Sequence, residues 1–264
     1  MKSRRTAILA LTALAASGCG VGVHFADYRH TVTLSDTHLT GPVSDIQVSS
    51  AAGHVTISTG GDGVTIHRVM HYQHGTPHPG QQLTNGTLTF SQGCAQCSID
   101  YDLTVPASVR VQAHSDSGRV DVANVASATA QSDSGSVTVR HITGDVTAAT
   151  DSGSVTVEEV HGTFRARSDS GSIHAIALGS AKVEASTDSG GVRMEFAAAP
   201  TSVRATSDSG SLHIGVPGGQ YNIETHTDSG GKDIDPVLLN GAAANKIYLS
   251  TDSGGLSVQP VTAN

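Results

Sequence analysis

The sequence predicts an all-β protein: a parallel β-solenoid (β-helix-like) of about eight 17–24-residue coils, with a strand-rich, less regular N-terminal section. Three observations predict it. First, Asp-Ser-Gly occurs eight times, at Asp116, Asp133, Asp151, Asp169, Asp188, Asp208, Asp228 and Asp252, at intervals of 17, 18, 18, 19, 20, 20 and 24 residues. Self-similarity at a near-fixed period marks a solenoid. Second, the residues on either side of each motif alternate apolar and polar, the period of a strand with one buried face. Third, so short an interval leaves no room for the crossover helix of a βαβ unit.

Composition agrees and excludes several functions. The 264 residues are 37% hydrophobic but only 14% charged, so this is no expanded polyelectrolyte. Aromatic residues make up 3%, with no tryptophan, which removes the stacking platforms of single-strand nucleic-acid binders. A net charge of −8 opposes any phosphate-backbone partner, so no nucleic acid is expected. The core must be built from small and β-branched side chains.

Residues 1–18 read as an export leader. Lys2, Arg4 and Arg5 form a basic head, and Ala7 to Ala16 form an apolar run broken only by Thr12. Ten residues are too few to span a bilayer, so the run fits a signal-peptide core. Leu14-Ala15-Ala16-Ser17-Gly18-Cys19 resembles a bacterial lipobox, with Ala16 where Leu is more usual. Cys19 is then the lipidated mature N-terminus, and residues 19–30 are a tether. The alternative is ordinary secretory cleavage after Ala15. Cysteine arithmetic favours lipidation, because Cys94 and Cys97 lie close enough to pair and leave Cys19 odd. A structural disulfide between Cys94 and Cys97 suits an oxidising compartment. A redox-active pair would need a helix N-terminus to lower a thiol pKa, and the flanks here are strand-like. A metal site on these thiols is the third reading.

Residues 31–105 form the N-terminal β section, as degenerate coils or a capping sheet. Gly53-His54-Val55-Thr56-Ile57, Gly63-Val64-Thr65-Ile66 and Gly86-Thr87-Leu88-Thr89-Phe90 each place a glycine before an alternating run.

Residues 106–258 carry the repeat. Five residues before each Asp stand apolar residues such as Val111, Val146 and Phe164, and three before stands mostly Ala. The residue immediately before is always Ser or Thr. Four and six residues after come pairs such as Val137 and Val139, which make a second inward-facing strand. Each coil is therefore a strand, a tight corner, a second strand and a looser return. Asp suits the corner because its carboxylate can accept bonds from backbone N–H groups just ahead, and Gly suits the third position because it permits positive φ. Coils stacked in sequence order give a rod whose stability is a nearest-neighbour property. Val105-Pro106 and Val216-Pro217 mark similar approaches to a strand, and Pro260 is placed to end the pairing before the tail at 259–264.

Together, Asp102-Leu103-Thr104-Val105-Pro106, the strand Val109-Arg110-Val111 and the Ser/Thr-Asp-Ser-Gly-x-Val-x-Val units resemble the bacterial putative-adhesin family of β-strand-repeat domains over roughly 31–258. The family has unknown function and is often secreted or lipid-anchored. The resemblance implies the architecture and no catalytic residue.

Candidate chemistry is sparse. The eight aspartates invite Ca²⁺, but each is followed by Ser and Gly rather than a second carboxylate, and they read as a structural turn ladder. His67, His71, His74 and His78 fall partly in a Gly- and Pro-rich loop, and a solvated loop is preferred to a zinc or copper site. The outward position five after each Asp carries Thr138, Thr156, His174, Arg193 and His213, a candidate ligand stripe led by His174, Arg193 and His213. The other strand offers Arg165, Arg167, Arg204, Glu184 and Glu224 on its outer face. No histidine recurs in phase with the corner serines, so a nucleophilic triad is unsupported. The expectation is a non-enzymatic protein without cofactor or metal, lipid-anchored outside the membrane and presenting its solenoid to an envelope or surface ligand. Self-association through coil edges is the alternative. A polysaccharide-active enzyme using the 232–245 insertion comes third.

Overall fold

The structure is a computed structural model and describes residues 30–94 and 96–261. The leader, Cys19, nearly all of the tether and the last three residues of the tail lie outside the described residues. Those described form 24 strands and one 3-10 turn at Pro236–Leu238, in one sheet of 13 strands and one of 11. Among them no helix is long and apolar enough to cross a membrane.

Each coil contributes one strand to each sheet. The strand before the corner, such as Ser127–Ser132, lies in the leading sheet, and the one after it, such as Val137–Ile142, in the trailing sheet. Like strands of adjacent coils pair in parallel. In the leading sheet Val111, Ala128, Val146, Phe164, Val183 and Val203 succeed one another in register. In the trailing sheet Val120, Val137, Val155, Ile173, Val192 and Leu212 do the same. These ladders are buried and face each other across a thin core. Each fully buried Val or Ile contributes about 1.5–3 kcal/mol. Eleven strands at about 4.8 Å make the column about 50 Å long.

The coils do not all stack in sequence order. The strands Lys246–Thr251 and Leu256–Pro260 lie between those of the Asp208 and Asp228 coils. The chain leaves Val216, steps over one rung to Asn222, and returns to fill the gap. Pro260 therefore does not end the stack, since its strand sits one rung inside the Lys232–Ile234 edge.

The N-terminal end uses the same device. Asp45–Ser50 and Val55–Thr59 form a further coil in register with Arg110–Ser115 and Val120–Ala123, with Ser50-Ala51-Ala52-Gly53 as its corner. Thr87–Ser91 and Cys97–Val105 lie one rung below it. Val105-Pro106 then carries the chain past that coil to Arg110. Both Val-Pro connections thus skip a rung. Val64–Tyr72 pairs antiparallel with Cys97–Val105, and Gly80–Thr84 with Thr87–Ser91, which closes this end with a cap.

The corners differ from expectation in their chemistry. No corner glycine has positive φ. A Cβ on Gly135 would lie 2.0 Å from the Gly118 carbonyl oxygen on the neighbouring rung, so glycine is required by close stacking rather than by backbone conformation. Nor does any corner aspartate among the described residues accept a backbone N–H with its carboxylate. The preceding hydroxyl takes that role: Gly153 N–H donates to Thr150 Oγ1 at 3.0 Å, and that hydroxyl donates to the Gly135 carbonyl at 2.9 Å.

Positive φ appears elsewhere. Asn124, His141, Glu159 and Ala177, eight residues after the first four aspartates, have φ of 60°, 54°, 54° and 54°. The left-handed step costs each roughly 1–2 kcal/mol, and it turns Val125, Ile142, Val160 and Leu178 into the core. The register then shifts, and Phe196 takes the place of Leu178 without the step.

Candidate functional site

Parallel pairing in register copies each outward position up the column. On the trailing face Thr138 pairs with Thr156, Thr156 with His174, His174 with Arg193 and Arg193 with His213. The row continues through Ser257 to Asp233. His174, Arg193 and His213 are all exposed. Arg193 pairs with Glu195 along its own strand, and His213 Nδ1 lies 2.7 Å from Ser257 Oγ.

The leading face carries a second row, Thr147, Arg165, Glu184, Arg204 and Tyr248. Glu184 Oε2 is 3.7 Å from Arg165 Nε, and the Arg204 guanidinium lies over the Tyr248 ring at 4.5 Å. Charges alternate along this row and partly compensate one another. Both faces are open strand surfaces rather than enclosed clefts.

The eight corner aspartates form a single row. Backbone bonds link Ser134 N–H to Asp116, Ser152 to Asp133, Ser170 to Asp151, Ser189 to Asp169 and Ser209 to Asp188. Ser253 continues to Asp208 and Ser229 to Asp252, which sets Asp228 outermost. In places the side chain two residues earlier meets the row. Arg167 reaches Asp169 and Asp188, His114 reaches Asp116 and Asp133, and His226 reaches Asp228. His114 did not stand out in the sequence. Its signal was its position, two before an aspartate that starts the row.

The histidines of 67–78 do not converge. His67 Nδ1 is 2.7 Å from Asp36 Oδ1, and His71 Nε2 is 3.2 Å from Asp100 Oδ2, while His74 and His78 are exposed in the following loop. Cys94 and Cys97 are joined by a disulfide, with Cα atoms 6.0 Å apart, beside this loop. Beneath lies a feature absent from the sequence reading. Arg68 is buried in the cap, donating to Gln81 Oε1 and lying 5.9 Å from the centre of the Phe90 ring. Burial holds its guanidinium pKa below the ordinary value and raises that of Tyr101, its cross-strand neighbour. At the junction with the first repeat coil, Arg110 grips Asp45 with two bonds of 2.8 and 2.9 Å. A bond from Ser44 and this pairing hold the Asp45 carboxyl below its usual range.

The fold has solved relatives. A protein described as a "putative adhesin", from Bacteroides fragilis NCTC 9343, aligns over 88% of this chain and 98% of its own, with a TM-score of 0.52 and 14% identity. Another with that description, from Parabacteroides distasonis ATCC 8503, aligns over 89% and 98%, with a TM-score of 0.48 and 10% identity. No curated protein matches the chain. The family model described as Toastrack DUF4097 matches residues 23–259. A match over that span, on a column of paired parallel coils, makes this chain a member of the Toastrack DUF4097 family.

Proposed function

We propose that the chain is a non-enzymatic, lipid-anchored protein of the cell envelope that presents its solenoid for adhesion or for contact with a protein or surface. The observation that carries this is the outward row Thr156, His174, Arg193 and His213, fixed one rung apart on a column of buried ladders. A rigid row of exposed polar groups meets an extended ligand without first ordering itself, and so avoids one cost of association. The description of the Bacteroides fragilis relative supports the adhesive part. The likeness of Leu14–Cys19 to a lipobox supports the anchor, since the several chains of a mature lipoprotein hold a membrane where one does not.

The test uses cells carrying the full-length chain, Cys19→Ala, or a variant with His174, Arg193 and His213 all changed to Glu. Radioactive palmitate should label wild type and not Cys19→Ala. Purified chain should retain an envelope component from a screen of polysaccharides and surface proteins, and the triple variant should lose it. Equal labelling would remove the anchor, and unchanged retention would remove the row.

A second reading is favoured by one observation. The strands Asn222–Thr227 and Lys232–Ile234 end the two sheets with unpaired edges, and nearby Val237 and Leu239 are 66% and 47% exposed. Open edges of this kind template strand addition, so a self-associating scaffold is the alternative. Light scattering over a concentration series separates the two, since a mass constant at one chain counts against the scaffold.

A further inference from the structure

The aspartate row sets like charges one rung apart, and the chain answers this twice with the same geometry. Arg167 Nη2 stands 3.0 Å from Asp169 Oδ1 and 3.7 Å from Asp188 Oδ1 on the next rung. In the first repeat coil the equivalent position holds His114. Its Nε2 stands 2.9 Å from Asp116 Oδ1 and 4.0 Å from Asp133 Oδ1, and the three atoms all lie within 4.8 Å of one another. The slot is the same, between two carboxylates of successive rungs. At Arg167 it holds a permanent cation. At His114 it holds an imidazole, whose neutral form supplies a lone pair instead of a charge.

We propose that His114, Asp116 and Asp133 bind a divalent transition-metal ion of the Zn²⁺ type. One imidazole nitrogen with carboxylate oxygens is a donor set for zinc, at about 2.0–2.2 Å from the metal. Donors around such a tetrahedral ion stand about 3.3–3.6 Å apart. The 2.9 Å pair opens to that spacing and the 4.0 Å pair closes to it by side-chain rotation of the exposed Asp116 and Asp133. Ca²⁺ is disfavoured because it takes six to eight oxygens and no imidazole. The backbone beneath is held: the Ser115 hydroxyl donates to the Gly53 carbonyl and accepts from Gly118 N–H, at 2.9 and 2.8 Å. His226 does not repeat the site, because it reaches only Asp228 on the outermost rung. The metal would neutralise a two-carboxylate slot that holds an imidazole where the Arg167 slot holds a fixed cation. This inference stands apart from the adhesive reading, and neither depends on the other.

The test is a Co²⁺ titration of the purified full-length chain, followed by visible absorption, with Zn²⁺ displacement monitored by calorimetry. The expected result is one saturable equivalent displaced by Zn²⁺. Affinity should fall at least about tenfold in both His114→Gln and Asp133→Asn, and remain unchanged in His67→Gln and His226→Gln. His114→Arg rebuilds the Arg167 arrangement and should fold, by circular dichroism, yet bind no metal. Absence of saturable binding up to about 1 mM would overturn the proposal. Unchanged binding in a folded His114→Arg variant would do so equally.

Discussion

The Ser132 hydroxyl donates to the Gly118 carbonyl on the rung below at 2.8 Å and accepts the Gly135 N–H of its own corner at 2.9 Å. One buried oxygen thus closes a corner and ties it to its neighbour. Ser132→Ala removes both bonds and leaves a buried carbonyl and N–H without their partner, which should cost about 1–3 kcal/mol. Ser132→Thr should be nearly neutral, because Thr150 and Thr187 make the same pair of bonds. Urea unfolding of the three proteins checks both statements. Equal midpoints for wild type and Ser132→Ala would show that the hydroxyl ladder contributes nothing.

The corner glycines make a sharper prediction. A Cβ at position 135 would meet the Gly118 carbonyl oxygen at 2.0 Å and its carbon at 2.5 Å, both backbone atoms of a neighbouring rung. Neither can withdraw without parting the rungs, so Gly135→Ala should destabilise by more than about 4 kcal/mol. Gly231→Ala, where nothing lies within 4 Å of the added atom, should change stability by less than about 1 kcal/mol. Similar melting temperatures for the two variants would contradict the steric account.

The coil register was legible because the chain repeats it: the apolar positions around each aspartate are the positions that stack. The reason for the corner residues was not. Ser, Asp and Gly together suggest a local turn, whereas here Ser and Gly act between rungs, a distance that no local pattern reports. The order of the last two coils was hidden for a similar reason. Ile223 and Ile247 carry equivalent side chains and fit the same ladder position, so apolar pattern cannot say which comes first. The Val-Pro pairs at 105–106 and 216–217 were visible as a likeness, and only the pairing shows that both skip a rung. The left-handed steps at Glu159 and Ala177 left no trace, because neither residue type favours that conformation. The outward rows were legible from the repeat, while the meeting of His114 with Asp133 needed the neighbouring rung.

Asp45 and Arg110 join the N-terminal coil to the first repeat coil through a two-bond ion pair. The Ser44 hydroxyl bond, with Arg110, lowers the Asp45 pKa in the folded protein. A depressed carboxylate pKa gives stability that is fully present above the unfolded-state value and lost as pH falls through the folded one. Asp45→Asn should therefore lower the urea midpoint at about pH 7, by a margin that shrinks as pH falls below the ordinary carboxylate range and the folded protein takes up its proton. The measurement is a set of urea midpoints across that range. A constant offset down to the acid limit would show that the pair acts through packing rather than charge.

The skipped rung predicts a deletion that the linear order would forbid. Val216 ends a trailing strand, and Lys246 begins the leading strand of the adjacent rung. Between Leu178 and Lys182, which hold the register positions of Val216 and Lys246, that step takes the three residues Gly179, Ser180 and Ala181. Removing residues 217–245 and joining Val216 to Lys246 through Gly-Ser-Ala should leave a folded column one rung shorter, with Leu256–Pro260 still paired to Leu212–Val216. Truncation after residue 245 is the opposite case. It deletes the inner rung and strands the outer one, with Asn222 and Ile223 deprived of their Lys246 and Ile247 partners. Because each rung depends on its neighbours, the smaller truncation should be the more damaging change. Circular dichroism and urea unfolding of the two proteins decide the matter. If the internal deletion fails to fold while the truncation survives, the outer coil is no dispensable cap.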